Sequence, residues 1–441
     1  MKQIDTKEFF ETQYVGFTTY DNIRKIANAV DGLKNASRKV LHYTLTTNVK
    51  DFVKVSNLGP RIQDATQYLH GSLEGVVVNV AADYTGANNV NLLIGDGNFG
   101  KRFVQEASAS RYISAKLNPI MREIFVKDDD DILEHQVFEG DPIEPKFYVP
   151  VLPLLAINGS EGMSVGFAQK ILPRNPLDII EYLVGNKKTL VPWFKGFKGT
   201  IVSGENENQW AIKGAFERIS RTQLMVTELP VGYDLKGYVG ILDGLVEKRD
   251  IKEYEDLSDD DIFKFQIAVT REFSDLSDDE IMEKLKLVKR VSENYTAVDI
   301  DNRVKTFDNI YQIIDYWTNI RLEYNDKRKD RILLELNKQK DITEAKAKFI
   351  GAVINNRITI NKKSKSDIET QITEYDQTLV PYIPTLMGMP LWSLTVEKIQ
   401  ELQEAFNQIK TQITHTEKLT NKKMMQQDIK DITKTMEKLC K

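Results

Sequence analysis

Two long helical patterns occupy the last third of the chain and limit its architecture more than any other segment. From about Phe307 a charged pattern with few helix breakers continues through Leu333 towards Ile350. Turn-rich residues 355–394 follow it. The second pattern has apolar residues at alternating spacings of three and four, as in the a/d seam of a coiled coil. These are Ile399, Leu402, Phe406, Ile409 and Ile413. The sequence therefore predicts two antiparallel helices with a small globular tip. Because such an arm is longer than a monomer needs, we expect a dimer contact at the tip.

The middle of the chain, residues 146–305, has the mixed pattern of an α+β domain. A helix is predicted at about 234–248, because its apolar residues fall on one face. An antiparallel sheet is predicted around it, with strands at 199–204, 209–214, 221–228 and 263–271. Ser277 followed by Glu280 predicts a helix capping box rather than a Ca²⁺ loop, since the glycine and alternating ligands of such a loop are missing.

Residues 1–145 mix short helical patterns with turns. A helix is predicted from Asp31 to about Leu45, with Lys34, Arg38 and Lys39 forming one basic helical face. Residues 71–90 allow two interpretations, because three consecutive valines favour a strand whereas the apolar spacing favours a helix. We predict a helix there. The acidic run Asp128–Asp131 is expected to be a solvated loop.

Composition excludes several classes of protein. The 441 residues suggest about three domains, and a net charge of −5 argues against coating nucleic acid through bulk positive charge. With four scattered histidines and one cysteine, a structural zinc site is not expected. The longest apolar run, Val149–Ile157, falls well short of the roughly 18 residues of a membrane span. The N-terminus lacks the apolar core of a secretory signal, so we expect a cytoplasmic protein without membrane contact.

Chemistry is most plausible at Arg111 and Tyr112. The preceding Gly95–Arg102 segment lacks the Lys-Ser/Thr ending of a P-loop and the glycine spacing of a dinucleotide-binding turn. A phenol has a pKa of about 10, so it needs neighbouring positive charge to become a useful phenolate. A tyrosine beside an arginine can therefore act as a nucleophile in phosphoryl transfer. Small residues 107–110 allow another backbone to approach closely. Taken alone, the Arg-Tyr pair favours a buried structural tyrosine over a nucleophile.

Several further motifs occur in a fixed order, and together they resemble the DNA-breakage subunit of type IIA topoisomerases. The resemblance is to the breakage subunit of gyrase and, still more, to the medium subunit of bacteriophage type II topoisomerases. It spans nearly the whole chain. The motifs are Arg24 with Asp31-Gly32-Leu33-Lys34 and Arg38-Lys39, Tyr68-Leu69-His70-Gly71, Gly95–Gly100, Ala109-Ser110-Arg111-Tyr112, Asn158–Gly166, Thr227-Glu228-Leu229-Pro230 and Leu386–Trp392.

The resemblance implies an α+β multidomain chain with three parts. The first is a winged-helix breakage-reunion domain over residues 1–145, which carries the nucleophile. An α/β tower domain over residues 146–306 follows. The third part, residues 307–441, is a long antiparallel coiled-coil arm with a small globular exit gate for dimerisation.

Site residues follow from the same resemblance. Tyr112 is the expected nucleophile for a 5′-phosphotyrosyl bond, with Arg111 as its transition-state partner. The expected contacts to the scissile phosphate or the adjacent DNA backbone are Arg24, Lys34, Arg38, Lys39 and His70. An acidic protein can bind DNA in this way when its cations converge on one surface.

Two positions carry alternatives. Relatives have Tyr-His-Pro-His-Gly or Tyr-His-His-Gly where this chain has Tyr68-Leu69-His70-Gly71, so Leu69 cannot donate to phosphate and His70 is the assigned residue. His70 could instead be a histidine satisfied under a turn. Met163 occupies the position of an apolar wedge that bends the cleaved duplex, and the alternative is a core methionine.

The resemblance implies the cleavage and religation subunit of an ATP-dependent type II topoisomerase that relaxes supercoils. The chain lacks a Walker motif and the Glu plus Asp-x-Asp metal centre of the family, so no metal is assigned to it. Mg²⁺ and ATP are expected on partner subunits with the ATPase and Toprim domains. Double-stranded DNA and a second copy of this chain are the other expected partners. The location would be the host cytoplasm if a bacteriophage encodes the chain. The alternative function is a non-catalytic winged-helix DNA-binding or scaffolding protein.

Overall fold

This computed structural model describes residues 5–259 and 262–440. Its helices and antiparallel strand pairs confirm the α+β fold class. The chain divides into two units, one comprising Met1–Arg321 with Gln426–Lys441 and the other Leu322–Met425. The domain boundaries expected near residues 146 and 307 stay predictions. Across the described ranges, no helix is long and apolar enough to cross a membrane.

Most elements in the first unit are short. The α-helices of the chain are Thr6–Phe9, Val15–Lys25, Asn35–Thr46, Val55–Ala65, Glu74–Ala81, Met121–Ile124, Leu154–Asn158, Pro176–Leu183, Leu235–Glu247, Arg271–Ser274, Asp278–Lys284, Ile310–Ile354, Lys365–Tyr375, Ile383–Met387, Val396–Lys418 and Asn421–Leu439. A π-helical turn spans Phe10–Tyr14, and 3-10 helices span Lys127–Ile132, Gln377–Tyr382 and Leu391–Ser393.

Within the described residues, the strands form six antiparallel sheets or hairpins. They are Val53–Lys54, Leu93–Asp96, Ser114–Leu117, His135–Phe138, Asp141–Pro145, Ser160–Ser164, Phe167–Ile171, Thr200–Ser203, Gln209–Lys213, Ala215–Ser220, Gln223–Glu228, Glu253–Asp256, Phe265–Ala268, Val288–Ser292, Thr296–Val298 and Val304–Thr306.

The helix predicted from Asp31 begins later, at Asn35. Gly32 has a φ of +68°, and a Cβ there would lie 2.4 Å from the Leu155 backbone nitrogen. The chain therefore makes a tight turn before the helix starts. The Asp31 carboxylate fixes this turn, because it accepts hydrogen bonds from Arg38 Nε at 2.7 Å and from the Tyr148 backbone N–H at 3.0 Å.

The basic helical face predicted for this helix is wrong. Arg38 and Lys39 are only 3% and 5% exposed. Lys39 Nζ donates to the Glu144 carboxylate and to the Thr66 carbonyl, each at 2.8 Å. A buried charge that has lost its hydration is stable only when it is paired and hydrogen-bonded, and both cations meet this condition inside the protein. They hold the first unit together from within.

A three-stranded sheet carries the segment around Tyr112. Strand Ser114–Leu117 lies in its centre, between Val53–Lys54 and Leu93–Asp96. The ambiguous segment 71–90 contains a helix, as predicted, but a short one at Glu74–Ala81.

The four strands predicted in the middle of the chain are divided between two sheets, where one sheet was predicted. Strands Thr200–Ser203 and Gln209–Lys213 pair with Val288–Ser292. The other predicted strands belong to a four-stranded sheet that packs on helix Leu235–Glu247. The chain passes between the sheets at Gly214, where a Cβ would lie 2.3 Å from the Glu228 carbonyl oxygen. Glycine permits this close approach.

A buried carboxylate connects these strands to the first half of the chain. Glu293 pairs with Arg174, with a shortest N–O distance of 2.5 Å, and both side chains are buried. Glu293 also accepts from Trp210 Nε1 and the Tyr295 hydroxyl, each at 2.7 Å. The Leu172 backbone N–H is a fourth donor to the same carboxylate, so Glu293 binds both residues 172–174 and Trp210.

Of the predictions made for the two acidic motifs, one is confirmed and the other is wrong. Ser277 and Glu280 form the predicted capping box. The prediction of a solvated loop at Asp128–Asp131 is wrong, because the segment lies in a 3-10 helix and Asp129 is buried against Arg321 at 2.6 Å. Asp130 pairs with Arg122 at 3.0 Å.

The second unit confirms the two antiparallel helices and the tip between them. Lys329, on the long helix, donates to the carbonyl oxygens of Glu417 and Leu419, each at 2.8 Å. At the other end, residues 345–349 share an apolar cluster with Leu394. The coiled-coil seam is buried at Ile413 and half-buried at its other members, which are Ile399, Leu402, Phe406 and Ile409.

The packing of His42 generates a testable pH dependence. His42 Nδ1 lies 2.9 Å from the Tyr148 hydroxyl, and burial, with the nearby positive charges of His135 and Lys39, lowers the pKa of His42 from 6.5 to about 4. The unfolded chain binds a proton on His42 below pH 6.5, whereas the folded protein binds it only below about pH 4. Folding stability should therefore be complete above pH 6.5 and fall as the pH drops towards 4.

We expect His42→Asn to remove this contribution. Between about pH 7 and about pH 4.5, the free energy of unfolding of the wild type should fall by about 2 kcal/mol more than that of the variant. Guanidinium unfolding followed by circular dichroism measures both. His415→Asn, which removes an exposed histidine, is the control. Equal pH profiles for wild type and His42→Asn would contradict the prediction.

Candidate nucleic-acid interface

Tyr112 is held by its backbone while its side chain is 66% exposed. The Tyr112 N–H donates to the Ala109 carbonyl at 2.9 Å, which closes a turn. On the other side, the carbonyl of Ile113 accepts from the Val55 N–H at 3.0 Å, and strand Ser114–Leu117 follows. The exposure excludes the alternative of a buried structural tyrosine.

Two cations lie beside Tyr112. The Arg111 guanidinium stacks over its ring at 4.8 Å from the ring centroid. Lys54 Nζ donates to the Tyr112 carbonyl oxygen at 3.2 Å. Sequence reasoning missed Lys54, because only the pairing of Lys54 with Ser114 across the sheet brings it here. Such pairing between distant segments leaves no local signal.

The small residues before Tyr112 serve the close approach that was predicted. The Ser110 carbonyl accepts from the Ser56 N–H at 3.3 Å, at the start of helix Val55–Ala65. The first turn of that helix therefore lies directly against the turn that carries Tyr112.

Arg24 and His70 meet at one aromatic ring. The Arg24 guanidinium lies 5.2 Å from the centroid of the Tyr20 ring, and the His70 ring contacts the same tyrosine edge-on at 6.5 Å. Both rings are exposed. The structure thus brings together two predicted phosphate contacts from segments nearly fifty residues apart. Exposure of His70 argues against a histidine enclosed under a turn.

The turn that carries His70 is stabilised from below. Gln63 Nε2 donates to the Gly71 carbonyl at 2.6 Å, and Gly71 has a φ of +88°. Leu69 is 83% exposed in this turn. An apolar side chain therefore occupies this exposed position next to His70.

Lys34 lies against the hairpin formed by Ser160–Ser164 and Phe167–Ile171. Its Nζ donates to the Glu161 carbonyl oxygen at 2.7 Å. Burial lowers the pKa of Lys34, and the nearby Glu161 carboxylate partly opposes this effect. Lys34 is half-buried, in contrast to the fully buried Arg38 and Lys39.

Met163 stands on the same hairpin and is 79% exposed, which excludes the core alternative. The hairpin is fixed to helix Val15–Lys25, since the Val165 N–H donates to the Asp21 carboxylate at 3.1 Å. Gly162 lets the hairpin approach the same helix closely, because a Cβ there would lie 2.1 Å from the Lys25 carbonyl oxygen.

The predicted residues form two groups and a remainder. One group combines Tyr112 with Arg111, and the other combines elements bearing Arg24, His70, Lys34 and Met163. Among residues 5–259 and 262–440, no hydrogen bond, ion pair or ring contact joins Tyr112 to the second group. Arg38 and Lys39 belong to neither group, because both are buried in ion pairs with Asp31 and Glu144.

A metal centre is not evident in the described ranges, where no three His, Cys, Asp or Glu side chains are grouped to hold an ion. The acidic run does not fit one, because Asp129 and Asp130 are engaged by arginines. The exposed tyrosine with adjacent cations instead fits attack on a phosphate diester.

Comparisons with known proteins agree with this geometry. The mitochondrial DNA topoisomerase 2 of Dictyostelium discoideum is 28% identical over 99% of this chain and 36% of its own length. DNA topoisomerase 2 of Saccharomyces cerevisiae is 30% identical over 98% of this chain and 35% of its own length. The chain thus spans about a third of the length of these relatives. The expected similarity to bacteriophage enzymes stays a prediction.

A solved structure and a family model complete the comparison. The crystal structure of the Plasmodium falciparum topoisomerase II DNA-binding, cleavage and re-ligation domain superposes with a TM-score of 0.88 at 29% identity. The match covers 98% of this chain and 64% of that one. The model of the family that comprises the A subunits of DNA gyrase and topoisomerase IV matches residues 24–433. The chain therefore belongs to the family of DNA gyrase and topoisomerase IV A subunits.

Proposed function

We propose that this chain is the DNA cleavage and religation subunit of a type II DNA topoisomerase. The observation that carries the proposal is Tyr112, which is exposed on a fixed backbone with Arg111 stacked on its ring. Family membership and the likeness to a DNA-binding, cleavage and re-ligation domain support the same function.

The proposed reaction is a reversible transesterification. The Tyr112 oxygen forms a bond to phosphorus as the bond to the 3′ oxygen breaks, which leaves a 5′-phosphotyrosyl link and a 3′ hydroxyl. The hydroxyl attacks in the reverse step and reseals the strand. Arg111 contributes positive charge beside the phosphate oxygens as negative charge builds on them.

The second group of residues is proposed to hold the duplex. Arg24 and His70 share the exposed ring of Tyr20, and Lys34 adjoins the hairpin of Met163. Phosphate contacts of this kind supply affinity without reading sequence. We assign Arg38 and Lys39 a supporting role, because their charges are neutralised by Asp31 and Glu144.

Breaking both strands requires two copies of Tyr112, and we propose a homodimer. Exposed apolar residues at the tip of the second unit support a contact there. Leu391 is 72% exposed, Trp392 81% and Val396 55%. An exposed apolar group of this kind is typical of a surface that binds another protein.

We propose that partner subunits supply the ATPase and Toprim domains, with Mg²⁺ and ATP bound there. The described carboxylates of this chain do not fit a metal centre, so no step is assigned to a metal on it. Relaxation of supercoils in the cytoplasm is the proposed setting, the host cytoplasm if a bacteriophage encodes the chain.

Tyr112→Phe tests the nucleophile. We expect covalent protein–DNA adducts to fall by three or more powers of ten, because only the attacking oxygen is lost. DNA affinity and melting temperature should stay close to wild type. Denaturant-trapped adducts on a labelled duplex, formed with the partner subunits present, provide the measurement. Tyr375→Phe, at an exposed tyrosine of the second unit, is the matched control. Substantial adduct formation by Tyr112→Phe would show that another residue is the nucleophile, whereas absence of adducts with the wild type would leave the scaffold alternative.

The isolated chain tests dependence on partners. Without them, we expect DNA binding in a gel-shift assay but negligible cleavage in the presence of Mg²⁺, because the described part of this chain does not present a metal centre of its own. Efficient cleavage by the isolated chain would show that it holds a metal site, and Asp128–Asp131 would then be substituted first.

Met163→Ala tests the wedge. Inserting a side chain between base pairs costs a few kcal/mol, which the bent duplex recovers through further phosphate contacts. We therefore expect reduced DNA bending and reduced cleavage, with little change in stability because the side chain is exposed. Energy transfer between the labelled ends of a short duplex reports the bend. Val137→Ala removes an exposed apolar side chain from a different hairpin and should change nothing. An unchanged bend would exclude the wedge.

A further inference from the structure

The Gly95–Arg102 segment has no role in the function proposed above, yet it ends in a deeply buried cation. Arg102 is 5% exposed and precedes Tyr112 by only a loop and a turn. An arginine side chain loses much hydration at such a site, so its contacts must compensate.

The contacts of Arg102 lie on residues 228–233, which lead from strand Gln223–Glu228 to helix Leu235–Glu247, and on Phe263 just before strand Phe265–Ala268. Nη1 donates to the Tyr233 carbonyl at 3.0 Å, and Nη2 donates to the Leu229 carbonyl at 2.9 Å. The Glu228 carboxylate lies 3.5 Å from Nη2. The guanidinium also stacks on Phe263, at 5.1 Å from the ring centroid. Nη2 makes a longer bond to the Pro230 carbonyl, at 3.3 Å.

Phe103 makes a second attachment to the same region. Its carbonyl accepts from the Leu235 N–H at 3.2 Å, at the first turn of helix Leu235–Glu247. Its ring lies 5.0 Å from that of Phe263. Two consecutive residues are therefore fixed to elements that follow them by more than a hundred residues.

The loop from Asn98 to Ser108, which contains Arg102, is closed by contacts between its two ends. The Ser108 N–H donates to the Asn98 carbonyl at 3.0 Å. Gly100 has a φ of +96°, and a Cβ there would lie 2.7 Å from the Gln105 carbonyl oxygen. A closed loop of this kind transmits a displacement at Arg102 to Ser108, from which the turn that carries Tyr112 begins.

An arginine suits this task better than a lysine. Its planar fork bonds to several carbonyl oxygens at fixed angles, whereas a lysine ammonium is a single point of charge on a flexible chain. The Nε atom of Arg102 is buried without a hydrogen-bond partner within the described residues. The site therefore retains Arg102 despite one unsatisfied donor.

We propose that Arg102 is a positioning residue for Tyr112, which ties the loop before the nucleophile to residues 228–235. The proposal depends on the proposed function only in taking Tyr112 as the nucleophile. It predicts that loss of the fork loosens the loop and lowers the rate of cleavage, while binding of DNA is largely preserved.

Hydrogen exchange on the isolated chain tests the structural part. We expect Arg102→Gln and Arg102→Lys to speed exchange of backbone amides in residues 103–112. The amides of strand Gln209–Lys213 should be unaffected. Arg218→Gln is the matched control, because Arg218 also binds carbonyl oxygens, those of Ser274 and Leu276, but away from the loop. Unchanged exchange at 103–112 in both variants, with melting temperatures near wild type, would overturn the proposal.

Adduct formation tests the functional part. With the partner subunits, Mg²⁺ and a labelled duplex at saturation, we expect both Arg102 variants to form adducts roughly tenfold to a hundredfold more slowly, because small displacements of a reacting group cost this much. The DNA Kd should change less than about threefold, as this buried residue does not contact phosphate. Full rescue by Arg102→Lys, or a defect confined to Kd, would assign Arg102 a charge effect instead and overturn the proposal.

The two tests separate the possible failures. If wild type itself forms no adduct, the proposed function fails, while faster exchange in the Arg102 variants would still establish the attachment of the loop. If wild type forms adducts and the variants match its rate, the positioning role alone fails.

Discussion

The proposed DNA surface depends on two buried ion pairs that hold helix Asn35–Thr46 in place. Asp31 pairs with Arg38, and Glu144 pairs with Lys39, in sites that exclude most water. Removing one partner from such a pair typically costs about 3–5 kcal/mol, because the other charge stays buried and unpaired. The Asp31 carboxylate also binds the Tyr148 backbone. The turn before the helix, the helix itself and the chain at residue 148 are therefore fixed by one carboxylate.

The cations of this acidic protein therefore have two different roles. Arg38 and Lys39 maintain internal order, whereas Arg24 and Arg111 lie on aromatic rings. Stacking on a tyrosine holds a guanidinium in place without neutralising its charge. A small number of cations can therefore face a phosphate backbone even though the chain as a whole carries a net charge of −5.

Local patterns predicted the elements well, and contacts between distant segments account for what they missed. The helical arm, the capping box at Ser277 and the helix Leu235–Glu247 follow from spacing within a few residues. The exposure of Tyr112 and Met163 agrees with the roles implied by resemblance. The burial of Arg38 was not predictable, because a basic helical face has the same sequence whether its carboxylate partners lie nearby or not. Lys54 reaches Tyr112 only through strand pairing.

The contact between Gly162 and the Lys25 carbonyl has a mechanical consequence. With no side chain between them, hairpin Ser160–Ser164 and helix Val15–Lys25 meet backbone to backbone, and Asp21 bonds across the same junction. Met163 and Arg24 therefore lie on two elements that are joined directly through their backbones. Any tilt of these two elements against a duplex would move Met163, the proposed wedge, and the Arg24 guanidinium together. A change in the position of Met163 or Arg24 alone would require a substitution of that side chain, since the backbone beneath both is shared.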